Sequence, residues 1–266
     1  MKPIVCALGL LLLVVPGGRS EPPNVEGPAP RLALLVDDFG YSLGATARGF
    51  LEMEETFSIS VIPGLRHSTE IAGMARAAGK ELLVHLPMEP LEYPERNPGE
   101  GALFVQAPED TLRQRTGRAL SAVPGAAGVN NHMGSRAMQD EELLRIVMAE
   151  VKKRSLFFLD SKTVAGRTPM RIARSMGVPF AESDLFWDTG YDTIEEILEK
   201  LDRLAEIARQ RGYAIGIGHP RPVTLDALRA KLPDFEKQGI RLVTISDLIR
   251  SEFPTGAAKQ GGPGSS

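Results

Sequence analysis

The chain carries one cysteine, Cys6, among 266 residues, which excludes both a disulfide framework and a thiolate zinc site. It has no long basic run, and 31 Lys and Arg against 34 Asp and Glu leave a formal net charge of -3. A phosphate backbone needs a cationic footprint, so nucleic acid is not an expected partner. Aromatic residues are scarce at 6%, with Trp187 the one tryptophan, so a ring beside a candidate site carries information. The apolar stretch at residues 4–15 falls short of the ~20 residues that a bilayer-spanning helix needs.

That stretch has a different use. It follows Met1 and Lys2 and is succeeded by Pro16 and then Gly18-Arg19-Ser20, the order of a secretory signal and its cleavage site. Residues 1–20 are therefore expected to be a signal peptide cleaved near Ser20, leaving an exported protein with no stable membrane span. Cleavage removes Cys6, Lys2 and Arg19, leaving a cysteine-free chain with 29 basic and 34 acidic residues, indifferent to an oxidising compartment.

What is present is enough for one sizeable core. At 42% hydrophobic residues, disorder of the whole chain is excluded. Residues 21–30 hold four prolines and read as an extended linker, and the Gly/Ser-rich residues 254–266 read as a disordered tail. The 223 residues between them, 31–253, contain no further low-complexity break and are expected to form a single domain.

Within that block, apolar runs at 32–36, 57–62, 81–86, 126–129, 156–159, 178–181, 213–217 and 240–245 alternate with helical patterns. Most of the runs are apolar throughout, as strands covered on both faces require. Helices are expected at 44–53, 68–78, 109–122, 141–154, 169–176, 194–210 and 225–237. Thr193 and Glu196 make a capping box for the sixth, and Gly79, Gly177, Gly212 and Gly239 stand where left-handed caps belong. Such β-α repetition means a parallel sheet, closed as a (β/α) barrel or left open and doubly wound. No Gly-rich phosphate fingerprint follows the first strand, so the barrel is favoured.

Polar residues gather where those strands end: Asp37-Asp38, His85, Asn130-Asn131-His132, Asp160-Ser161 and His219. Singly, each reads as a cap or a hydrogen-bonded structural residue. Together, on the one rim where a parallel barrel gathers its strand ends, two carboxylates and three imidazoles point to a divalent metal. An Asp and two His leave a coordination position open for water, a second carboxylate can take a proton, and a third His can donate one. His67, which opens a helix after a Pro-Gly turn, reads as a surface residue.

The motifs Leu35-Val36-Asp37-Asp38-Phe39-Gly40-Tyr41, Val84-His85-Leu86-Pro87-Met88, Gly128-Val129-Asn130-Asn131-His132-Met133-Gly134-Ser135, Phe158-Leu159-Asp160-Ser161 and Ile217-Gly218-His219-Pro220 resemble the divergent polysaccharide deacetylase family of bacterial exported proteins. The resemblance implies a distorted (β/α) barrel of seven or eight strands and a divalent metal, zinc being the expected ion. It also implies an acetylated glycan as substrate and a location in the periplasm or cell envelope. By the same resemblance Asp37 is the base, Asp38 and His85 are metal ligands, and His219 protonates the leaving group. The wider superfamily has a second His four residues after the first, where this chain has Glu89. Of the two candidates for the third ligand, His132 and Glu89, the imidazole is preferred. Asp160 is expected to orient a neighbouring His or sit near substrate. Asn130, Asn131 and Ser135 are candidates for sugar hydroxyls or for turns, and Trp187 for a stacking platform or for the core. A non-catalytic glycan-binding protein, or a hydrolase of another amide such as a peptide or lactam, are the competing readings.

Overall fold

Strands covered on both faces suit a parallel sheet, and every strand pairing among the described residues is parallel. The computed structural model describes residues 28–252, so the expected signal peptide, most of the linker and the tail lie outside the described residues. Strands β1 (Arg31–Phe39), β2 (Ser58–Val61), β3 (Glu81–Met88), β4 (Gly128–Met133) and β5 (Phe157–Asp160) come first. Between and after them lie α1 (Ala45–Glu52), α2 (Ser68–Ala77), α3 (Glu109–Ala122), α4 (Glu141–Lys153) and α5 (Thr168–Met176). The second half adds β6 (Phe180–Glu182), β7 (Leu185–Phe186), α6 (Ile194–Arg211), β8 (Tyr213–Gly218), α7 (Pro222–Lys237), β9 (Arg241–Val243) and α8 (Ile245–Glu252).

Eight strands run in the order β6-β5-β4-β3-β2-β1-β8-β7, and β9 joins β1 off that path. β9 takes Arg31 to Ala33, below the point where β2 begins to pair at Leu35. The result is a curled, incompletely closed (β/α) barrel whose path ends at β6 and β7, which are three and two residues long.

Local chemistry explains the boundaries. Gly79, Gly177, Gly212 and Gly239 all have positive φ, and both arms of the Thr193–Glu196 capping box are formed. The apolar run expected at 240–245 breaks at Thr244, whose Oγ1 accepts from the Asp247 amide at 3.1 Å, while the Glu81 carboxylate accepts from the Ile245 amide at 2.9 Å. Those acceptors open α8, which lacked a sequence signal of its own. Helix α7 starts at Pro222 rather than 225, because proline is pre-set for the first helical turn.

Period-two alternation sorts the core into two layers. Leu32, Leu34 and Val36 pack between sheet and helices, while Ala33 and Leu35 join Leu83, Phe157, Leu159, Ala181, Ile215 and Ile217 inside the curl. The inner layer is apolar only as far as these residues reach, and the next inward positions carry the site.

Candidate active site

Continuing the inward parity places the site residue by residue. After Ala33 and Leu35 comes Asp37; after Leu83, His85; after Ile215 and Ile217, His219; and on β4 the inward positions are Asn130 and His132. Asp38 has the wrong parity. It reaches the same space because β1 slips register between Val36 and Phe39 and Asp38 adopts φ 57. A non-glycine residue in that region costs roughly 1–2 kcal/mol, so adjacent carboxylates are brought to one site at a measurable expense in stability.

Asp38, His85 and His132 each offer one ligand atom within 4.8 Å of the others. Asp38 Oδ1 lies 2.9 Å from His132 Nδ1 and 3.1 Å from His85 Nε2, with the two rings edge to face at 4.9 Å between centroids. That oxygen is buried yet has no properly directed hydrogen bond among the described residues. Three donor atoms crowded together without hydrogen bonds between them fit a shared cation. Burial pushes the Asp38 carboxyl up, but the two imidazoles outweigh it and hold the group well below the usual carboxylate range. Burial, with His132 adding to it, pulls His85 down to about 4 against the pull of Asp38, so the ring is neutral at pH 7 and has a lone pair to give. Glu89 is elsewhere: its Oε2 accepts from the Val105 amide at 2.7 Å and its Oε1 faces Arg136 at 3.3 Å.

Asp37 stands beside this cluster, its Oδ2 3.6 Å from His85 Nε2. It is buried, and burial first, then the negative charge of Asp38, raise its carboxyl well above the usual range. Across the site, His219 Nε2 is 3.9 Å from Asp38 Oδ2. Its Nδ1 donates to Asp188 Oδ1 at 2.5 Å, which leaves Nε2 directed at the site. Asp188 also accepts from the His219 amide (2.9 Å), Thr224 Oγ1 (2.6 Å) and Arg221 Nη1 (3.1 Å). Burial raises the Asp188 carboxyl, and these bonds, led by His219, more than reverse that. Phe186 stacks on the imidazole at 5.9 Å and 6°.

The other candidate residues take these places. The carboxylate that orients a histidine is Asp188, not Asp160. Asp160 shares the outward parity of Phe158, accepts from the Lys162 amide at 2.7 Å, and is pushed up to about 6 by burial. Trp187 is no platform: it is fully buried over Gly216 and Gly218, where a Cβ at Gly218 would lie 1.9 Å from its Nε1. Asn130 and Asn131 are buried and bonded to protein, Asn131 donating to Met133 O (2.7 Å) and accepting from the Ser161 amide (2.9 Å). Ser135 accepts from the Leu91 amide at 2.8 Å and so pins the loop between β3 and α3. His67 lies at the start of α2, 3.6 Å from Glu70.

Residues 34–249 match the family model for divergent polysaccharide deacetylase. An uncharacterized protein of Haemophilus influenzae is 32% identical over 222 residues, which cover 84% of this chain and 78% of that protein. The crystal structure of an uncharacterized protein from Agrobacterium tumefaciens superposes with a TM-score of 0.77 at 29% identity, covering 84% of this chain and 90% of that one. The catalytic domain of a peptidoglycan N-acetylglucosamine deacetylase from Eubacterium rectale shares the fold, with a TM-score of 0.50 at 9% identity over 83% of this chain and 90% of that one.

Proposed function

The chain belongs to the divergent polysaccharide deacetylase family, and from that premise we propose that it is an exported, metal-dependent hydrolase that removes acetyl groups from a polysaccharide of the bacterial cell envelope. One observation carries the reading: a buried carboxylate, Asp37, stands free of the Asp38–His85–His132 donor set while touching its edge. A buried acid beside a metal-donor set but outside it is placed as a general base requires.

Asp38, His85 through Nε2 and His132 through Nδ1 would hold the ion, and one carboxylate with two imidazoles suits zinc. When bound, the ion supplies Lewis-acid polarisation of the acyl carbonyl and makes water a better nucleophile at neutral pH. Asp37 takes the proton of the attacking water as the new C–O bond forms. His219, held by Asp188, gives a proton from Nε2 to the leaving amine or sugar oxygen as the acyl bond breaks, releasing acetate. Exposed rings on the loops that follow β1, β3 and β7, Tyr41, Tyr93 and Tyr191, offer sugar rings a stacking surface.

The deciding experiment is acetate release from a panel of N- and O-acetylated envelope glycans, with and without a chelator. Wild type should release acetate only when metal-loaded, and Asp37→Asn should lose roughly 100-fold or more in turnover with metal content unchanged. Glycan capture without release across the metal-loaded panel would move the assignment to a binding protein.

A further inference from the structure

We propose that Asn130 is a positioning residue that couples the two halves of the site, fixing the tautomer of His85 with its carbonyl and the orientation of Asp37 with its amide. The β3–β4 register sets Asn130 directly beside His85, and the residue is fully buried. Its Oδ1 accepts from Ser60 Oγ at 2.5 Å and from His85 Nδ1 at 3.0 Å. Its Nδ2 donates to both Asp37 oxygens and to Ser161 Oγ, each at 3.0 Å. All the bonding capacity of the amide is used inside the protein, leaving none for a sugar.

The direction of the amide is dictated by its neighbours. Ser161 Oγ gives its own hydrogen to Asn131 O at 3.0 Å, so toward Asn130 it can only accept. The NH₂ must therefore face Ser161 and Asp37, and the carbonyl must face His85. A carbonyl can only accept, so His85 carries its proton on Nδ1 and presents a bare Nε2 to Asp38, 3.1 Å away. One amide thus readies a metal ligand and steadies the base.

The catalytic half of this inference rests on the deacetylase reading, whereas the tautomer half holds for any metal-binding role. The first test is therefore independent of activity: long-range ¹H–¹⁵N correlation spectra of ¹⁵N-histidine-labelled, metal-free protein at neutral pH. Wild type should show His85 protonated at Nδ1 alone, and an Nε2–H signal overturns the proposal whether or not any variant folds. Asn130→Leu, of similar volume, should lose that single tautomer and bind zinc about 10- to 100-fold more weakly in a competition titration. Asn130→Asp keeps an acceptor for His85 but sets a like charge against Asp37. It should retain zinc affinity within about threefold while kcat falls about 100-fold and KM moves little. A merely structural asparagine would lower the melting temperature in both variants and leave tautomer, zinc affinity and kcat where they were. If wild type releases no acetate, the deacetylase reading fails while spectrum and zinc titration still decide the tautomer half.

Discussion

At the scale of single residues, the chemistry depends on which polar atom faces which, and Asp188 shows how narrow that dependence is. Its carboxylate holds His219 through Nδ1 and is itself fixed by a backbone amide, a hydroxyl and a guanidinium. Asp188→Asn keeps the shape but can present an N–H to Nδ1, which favours the tautomer with its proton on Nε2 and removes the charge that supports an imidazolium. Turnover should fall on the order of 10³-fold with zinc content unchanged, since Asp188 lies outside the donor set. Steady-state assays paired with metal analysis read this, and parallel loss of metal would show that Asp188 acts structurally instead. The residue types of the site and their places at strand ends were legible in the sequence, and so was the placing of His132, rather than Glu89, beside Asp38 and His85. The Asp188–His219 pair was not, because 31 positions separate them and the two-residue β7 that joins them has no periodicity to read.

At the scale of elements, the seam between β7 and β8 is where packing governs chemistry. Leu185 and Phe186 pair with Gly216 and Ile217, and the Trp187 indole lies against the side-chain-free faces of Gly216 and Gly218. Asp188 and His219 each follow directly on a residue of that wedge, Trp187 and Gly218. Gly218→Ala would place a methyl 1.9 Å from Trp187 Nε1, far inside contact distance, and strand backbone cannot yield as a surface side chain can. The substitution should destabilise the fold by on the order of 1–3 kcal/mol in urea denaturation and reduce turnover even where the protein remains folded. An unchanged denaturation midpoint would refute the wedge. Alternation along β1, β3, β4, β5 and β8 also explains which strand-end residues enter the site: parity admits Asp37, His85, Asn130, His132 and His219 and turns Asp160 outward. That rule was available from the sequence for every residue except Asp38, whose inward turn depends on the β1 register slip, a feature that period two alone does not foresee.

At the scale of the whole molecule, the open question from sequence was whether the parallel sheet closes. It curls with its path ending at β6 and β7; the metal-donor set and Asp37 come from β1, β3 and β4 along its interior, His219 follows β8, and of the two end strands β7 alone contributes, through Phe186 and the Asp188 that follows it. Six strands of six residues or fewer and a three-residue β9 beside β1 are too short to set that closure from pattern. Gathering strand ends on one rim also gathers buried acids there, and global stability must carry them. Asp160 makes this measurable. Its carboxyl is raised by burial from 3.8 to about 6, so the folded state prefers the protonated form more than the unfolded chain does. The stability this gives is complete below about 3.8 and is lost as pH rises through about 6. Asp160→Asn is neutral throughout and keeps an oxygen to accept from the Lys162 amide at 2.7 Å. The variant should therefore match wild type near pH 4 and exceed it at pH 8, by about 2–3 kcal/mol at roughly 1.4 kcal/mol per pH unit of separation. Urea titrations of both proteins across that range, metal-free, give the difference directly, and a gap that stays constant with pH would mean that Asp160 is not held protonated by its burial.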